Sequence, residues 1–208
     1  MNILVAVPSM DEVPVNFAQA LAMLQKVDNT AIAFQTGSLV YTSRNELAKT
    51  AIKMEADYVL WLDSDMVFEP TLLKDMLNTM KENDIDFLTG AYFKRVEPYS
   101  PVLYDKLRVE GNFCDFHALE DVPNELFTVE GCGFGCVLMS LDVIISVLGK
   151  FAQSFQPLNG MGEDLSFCYR ARECGYEIWC DPGIRLGHVA KTIVTREFFE
   201  AYRGSKNG

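Results

Sequence analysis

Three apolar runs of strand length, at residues 3–7, 31–34 and 58–62, each give way to a segment with helical spacing. The first run ends at Pro8-Ser9, after which residues 14–26 place Val15, Ala18, Leu21, Ala22 and Leu24 at helical intervals. Ser43-x-x-Glu46 has the form of a capping box opening a helix through Ala48, Ile52 and Ala56. The third run stops at Asp63-Ser64-Asp65, and Pro70 suits the first turn of a helix carrying Leu73, Met76, Leu77 and Met80. Uninterrupted apolar strands need cover on both faces, and a strand–helix–strand repeat joins parallel neighbours. These residues predict an α/β fold, a three-layer single domain around a mostly parallel sheet.

The rhythm changes after residues 86–89. Residues 94–128, with Pro98, Pro101 and Pro123 among scattered aromatics and charges, read as a strand-and-loop excursion on the same domain. Regular structure resumes as a strand at 136–139 and a helix from Leu141. A further helix is expected from Asp164 to Cys174, ended by Gly175, then a strand at 177–180 and a terminal helix at 196–202. No internal repeat or linker interrupts the 208 residues, a length suited to one domain.

Eighteen basic residues against 29 acidic ones give a formal charge of -11, which opposes broad binding to nucleic acid or anionic lipid. The six cysteines form no C-x-x-C pair and several lie in apolar stretches, so buried thiols are expected rather than disulfides or zinc. The amino terminus lacks a basic leader, and no apolar run approaches the ~20 residues that span a bilayer. A cytoplasmic protein is the expectation.

Several motifs carry candidate chemistry. Asp63 and Asp65 follow an apolar strand at the sheet edge where α/β folds bind ligands, and two such carboxylates can aim at one divalent cation. The same pair also suits a solvated turn. Gly162-Glu163-Asp164 opens a helix, where an ionised carboxylate is favoured; Asp164 there can cap the helix or accept a proton, and Glu163 can bond an acceptor hydroxyl or face solvent. His188, after Gly187, would complement two carboxylates as a metal ligand, or serve structurally. Glycines 131, 133 and 135 permit close approach of a ligand or another strand, or a tight turn.

In order, Val5-Ala6-Val7-Pro8, Arg44-Asn45, Asp63-Ser64-Asp65, the glycine stretch 131–135, Gly162-Glu163-Asp164 and Gly187-His188 resemble the GT-A glycosyltransferases, particularly the family 2-like group. The resemblance covers roughly residues 3–190. It implies an enzyme that moves a sugar from a nucleotide-diphosphate donor (a UDP- or GDP-sugar) to an acceptor hydroxyl, with inversion. Asp65 would bind Mn²⁺ or Mg²⁺, Asp63 would contact the ribose or a metal-held water, and His188 would complete the metal shell. Pro8, Ser9, Asp11 and Arg44 would line the nucleotide pocket, with Ser64 in the same acidic triplet. Gly133 and Phe134 would lie near sugar and acceptor. Asp164 would be the catalytic base, with Glu163 beside it.

On this view residues 1–93 hold the donor, 94–190 supply the acceptor side and catalysis, and 191–208 form a terminal helix and tail. The chain ends 20 residues after His188, which reads as a minimal catalytic domain whose acceptor stays unidentified. Retaining enzymes share the architecture. A haloacid-dehalogenase-type phosphatase is a further alternative, but its acidic strand normally comes first in the chain and its later motif has a carboxylate where Cys168 stands.

Overall fold

Side chains alternate along the first strand: in β1 (Asn2–Ser9), Ile3, Val5 and Val7 enter one apolar core while Leu4 and Ala6 enter the other. The computed structural model describes residues 1–27 and 29–190. After β1 come α1 (Val15–Met23), β2 (Asn29–Thr36), α2 (Val40–Lys53), β3 (Tyr58–Leu62), β4 (Met66–Phe68), α3 (Leu72–Asn83) and β5 (Phe87–Gly90). The second half adds β6 (Leu103–Glu110), β7 (Phe113–Ala118), β8 (Phe127–Val129), β9 (Gly131–Cys132) and β10 (Cys136–Ser140). It ends in α4 (Leu141–Phe151), α5 (Glu163–Glu173), β11 (Ile178–Asp181) and β12 (Leu186–His188).

The central sheet has seven strands in the order β2-β1-β3-β10-β5-β11-β8. β2, β1 and β3 are parallel, as are β5 and β11. β10 runs antiparallel between β3 and β5, and β8 closes the far edge antiparallel to β11. Helices α1 and α3 cover one face; α2, α4 and α5 cover the other. The predicted three-layer α/β arrangement is therefore present; the runs at 3–7 and 58–62 are strands buried on both sides, whereas the run at 31–34 lies on the edge strand β2 and is partly exposed.

Local signals fare less well. No capping box forms at Ser43: α2 begins at Val40, its N-cap is Leu39 without a side-chain hydrogen bond, and Ser43 is buried within the helix. Packing of Ser43, Arg44, Leu47, Ala48 and Ala51 against the sheet sets where this helix starts, overriding the capping preference. Pro70 lies ahead of the N-cap Thr71 rather than in the first helical turn. The strand-and-loop excursion takes the expected form: β6 and β7 make a hairpin that joins β9 in a three-stranded sheet. The helix expected at 196–202 lies outside the described residues.

Leu138 on β10 is fully buried, opposite Leu60 on one side and Leu88 on the other. Leu138→Ala should cost about 2–5 kcal/mol in urea unfolding. Val15→Ala, at a position 79% exposed, should stay within about 0.5 kcal/mol. Equal midpoints for the two variants would contradict the assignment of β10 as the sheet's interior.

Candidate active site

Parallel pairing sends the carboxyl ends of β2, β1 and β3 to one edge, where loops leaving neighbouring strands leave a crevice. A cleft of about 370 Å³ lies there, lined by Pro8, Ser9 and Met10 after β1, Gly37 and Ser38 after β2, and Asp63, Ser64 and Asp65 after β3. Val40, Ser43 and Arg44 of α2, Glu163 and Asp164 of α5, and Arg95 complete the lining. Antiparallel β10 brings its amino end to the same edge, where the Asp63 N–H donates to the Gly135 carbonyl at 3.1 Å.

Arg44 forms the floor. It is only 2% exposed, its Nη2 donates to Asp63 Oδ1 at 2.7 Å, and its Nε donates to Glu163 Oε1 at 3.3 Å. The guanidinium carbon sits 5.1 Å from the Phe134 ring centroid and 6.0 Å from that of Trp61, which supply cation–π attraction. Nη1 is buried without a hydrogen-bond partner among the described residues. Burial works to lower the Arg44 pKa, but the charges of Asp63, Glu163 and Asp164 outweigh it and raise the value. For Asp63, burial and the neighbouring carboxylates Asp65 and Glu163 prevail over Arg44 and raise its pKa. A guanidinium that never deprotonates thus holds two carboxylates at the cleft floor.

The second cluster surrounds Asp65. β12 pairs with β4 so that His188 faces Met66, and the Val189 N–H donates to the Asp65 carbonyl at 2.9 Å. This register carries an imidazole across 123 residues to within 3.3 Å of Asp65 Oδ2. His188 Nδ1 lies 2.9 Å from the Phe93 carbonyl oxygen. A carbonyl only accepts, so Nδ1 carries the hydrogen; in a neutral ring Nε2 then aims a lone pair at a carboxylate. Two acceptors face each other unless a proton or a cation sits between them. Arg95 Nη1 reaches the same Oδ2 at 2.5 Å. Among the described residues no three His, Cys, Asp or Glu side chains form a ready-made metal cage, and Asp63 engages Arg44.

Tyr92 braces this cluster. Its ring meets His188 edge-on at 5.7 Å, and its hydroxyl accepts the Gly135 N–H at 3.1 Å. A Cβ on Gly135 would stand 2.7 Å from Tyr92 Cζ, and one on Gly133 would strike the Tyr92 hydroxyl. The group these glycines admit is thus a tyrosine of the chain itself.

Asp164 stands in the first turn of α5, behind the N-cap Gly162. Its Oδ1 accepts the Leu165 N–H at 2.7 Å. Burial raises its pKa to about 6, with the Glu163 charge adding to the shift and the Leu165 hydrogen bond and Arg44 opposing it. A carboxylate with that value, facing a cleft, is matched to proton transfer near neutral pH.

Of the residues singled out from sequence, Pro8, Ser9, Arg44, Asp63, Ser64, Asp65, Glu163 and Asp164 line one cleft, and His188 lies against Asp65. Asp11 is exposed and outside the lining. Gly133 and Phe134 are buried and outside the lining, Phe134 under Arg44 within an aromatic cluster with Trp61, Phe87, Phe155 and Phe167. Sequence reasoning missed Gly37-Ser38, although a small-residue turn after the second strand at the same edge is a readable signal. It also missed Arg95, which has no local signature. A larger depression of about 760 Å³ lies by the other end of α5. Its Arg108 and Arg172 both pair with Glu130.

A197 from STIV has a similar fold, with 18% identity over 92% of this chain and 87% of its own and a TM-score of 0.63. S. aureus TarS 1-349, solved in complex with UDP-GlcNAc, shares 15% identity over 98% of this chain and 65% of its own, with a TM-score of 0.59. At these identities the likeness shows the fold, the α/β architecture of GT-A glycosyltransferases. No curated protein matches the chain. The model of the family described as Glycosyltransferase like family 2 matches residues 3–205, nearly the whole sequence, and the chain belongs to that family.

Proposed function

We propose that this chain transfers a sugar from a UDP- or GDP-linked donor to an acceptor hydroxyl, with inversion at the anomeric carbon. The observation that carries the reading is the meeting, at one sheet edge, of a buffered acid–base carboxylate (Asp164), an Arg44-held carboxylate (Asp63) and the Asp65–His188 pair. Family membership supports the reaction class, and the UDP-GlcNAc held by TarS supports a nucleotide-sugar donor. Pro8 and Ser9 would border the nucleotide, with residues 1–93 forming the donor side. Glu163 and Asp164 bring the acceptor side to it from the second half. No helix among the described residues is long and apolar enough to cross a membrane.

The residues fit a divalent cation, Mn²⁺ or Mg²⁺. The Nδ1–H donated to Phe93 leaves Nε2 of a neutral His188 as a lone pair beside Asp65, an arrangement a cation relieves. Asp65 and His188 would hold it, and Asp63 would contact the ribose or a water. When bound, the metal would neutralise charge on the departing diphosphate. The chain's own part is otherwise proton transfer and positioning. Asp164 accepts the proton of the acceptor hydroxyl as that oxygen bonds to the anomeric carbon. The bond to the diphosphate breaks on the opposite side, and its electron pair leaves with the nucleoside diphosphate. Arg44 keeps Asp63 and Glu163 in place throughout.

Asp65→Ala should abolish Mn²⁺-dependent binding of a nucleoside diphosphate in calorimetry; unchanged metal dependence would contradict the assigned ligand. Asp164→Asn should keep donor binding and lose about 10²–10⁴-fold in transfer rate. In the unaltered protein the rate should climb through a pH of about 6, because the base works only as the carboxylate. The same raised pKa means the folded state holds the Asp164 proton more tightly than the unfolded state. Its contribution to stability is therefore full below the ordinary carboxylate range and is lost as pH rises through about 6. Asp164→Asn should accordingly melt above the unaltered protein at pH 7.5, with the gap closing toward pH 4. A gap independent of pH would contradict the placement of Asp164.

A further inference from the structure

Four carboxylates, Asp63, Asp65, Glu163 and Asp164, line the cleft, and its positive charge comes from Arg44 and Arg95. The two arginines are not equivalent. Arg44 is buried, two carboxylates engage its Nε and Nη2, and its unpartnered Nη1 has no exposed surface, so its charge stays on the floor. Arg95 is 54% exposed, stands on the segment joining β5 to β6, and bonds Asp65 Oδ2 at 2.5 Å. His188 Nε2 approaches that same oxygen. The backbone around Arg95 is anchored: Phe93 bridges to Pro101, its carbonyl accepts from His188, and the Lys94 N–H donates to the Ser100 carbonyl at 2.9 Å. The side chain can swing from a fixed base.

Two conclusions follow from charge alone. A guanidinium keeps its proton, so its charge leaves Asp65 only if the side chain moves. A diphosphate entering a cleft with four carboxylates needs a mobile cation, and Arg95 is the half-exposed one at the rim. We propose that Arg95 occupies two positions: on Asp65 while the cleft holds neither cation nor donor, and on the donor's diphosphate once a divalent cation takes that oxygen. The inference rests on the reading of the cleft as a metal-dependent nucleotide-sugar site. Its consequence is coupling. The cation frees Arg95 for the diphosphate, the diphosphate draws Arg95 off Asp65, and each tightens the other reciprocally.

The test is titration calorimetry on the full chain, with Mn²⁺ alone and then with UDP or GDP at saturating Mn²⁺, for the unaltered protein, Arg95→Gln and Arg95→Lys. Arg95→Gln should bind Mn²⁺ about two- to fivefold more tightly, the scale of a lost half-exposed ion pair. It should bind the nucleoside diphosphate roughly tenfold or more weakly, the scale of a lost charge-assisted bond. Arg95→Lys should recover most of the diphosphate affinity. Opposite signs for the two ligands are the signature, since a variant damaged in folding loses both. If both affinities fall together in Arg95→Gln, or neither moves, the two-position account of Arg95 is overturned while the donor reading stands. If the unaltered protein takes up neither Mn²⁺ nor either nucleotide, the donor reading fails and takes the proposal with it.

Discussion

The cleft depends on one buried cation. Arg44 reaches from α2 under the ends of β3 and α5, and its two ion pairs fix Asp63 and Glu163 to each other through a charge that cannot titrate away. Without Arg44 two part-buried carboxylates would face each other with no counter-charge, so the arrangement depends on it. The aromatic rings of Trp61 and Phe134 lie beneath the guanidinium, which ties the floor to the core on that face of the sheet. Stability and site are built from the same contact. Asp164 stands next to this clamp without an ion pair to it, and burial raises its pKa to about 6.

The sheet supplies the rest of the placement. Three parallel strands bring their carboxyl ends together, which is enough to gather Ser9, Gly37 and Asp63. Two antiparallel pairings finish the job. β10, inserted between β3 and β5, delivers Gly135 to Asp63 and Tyr92; β12, laid along β4, delivers His188 to Asp65. Because side chains alternate along a strand, a one-residue slip in the β12 register would turn His188 away from the carboxylate.

What the sequence discloses follows from range. Runs such as residues 3–7 and 58–62 are local and doubly buried, so their strands and the acidic turn after Leu62 are readable by eye. Asp164 is readable as a helix-start carboxylate for the same reason. Contacts over long separations are not. The Arg44–Glu163 pair spans 119 residues and the Arg95–Asp65 pair 30, with no pattern announcing either. Ser43 misleads in the other direction: a good local capping string lies inside a helix whose start is set by packing against the sheet. Gly133 and Gly135 were legible as positions of close approach, but the partner, Tyr92, was not.

The central claim is that Asp65 and His188, brought together by the β4–β12 pairing, form the cation-holding side of a donor site. Anomalous diffraction at the manganese edge, from crystals grown with Mn²⁺ and UDP, addresses it directly. A single strong peak within coordination distance of the Asp65 carboxylate and His188 Nε2, with the diphosphate beside it, is the predicted result. A nucleotide bound in the cleft with the manganese peak elsewhere, or with no peak at all, would contradict it.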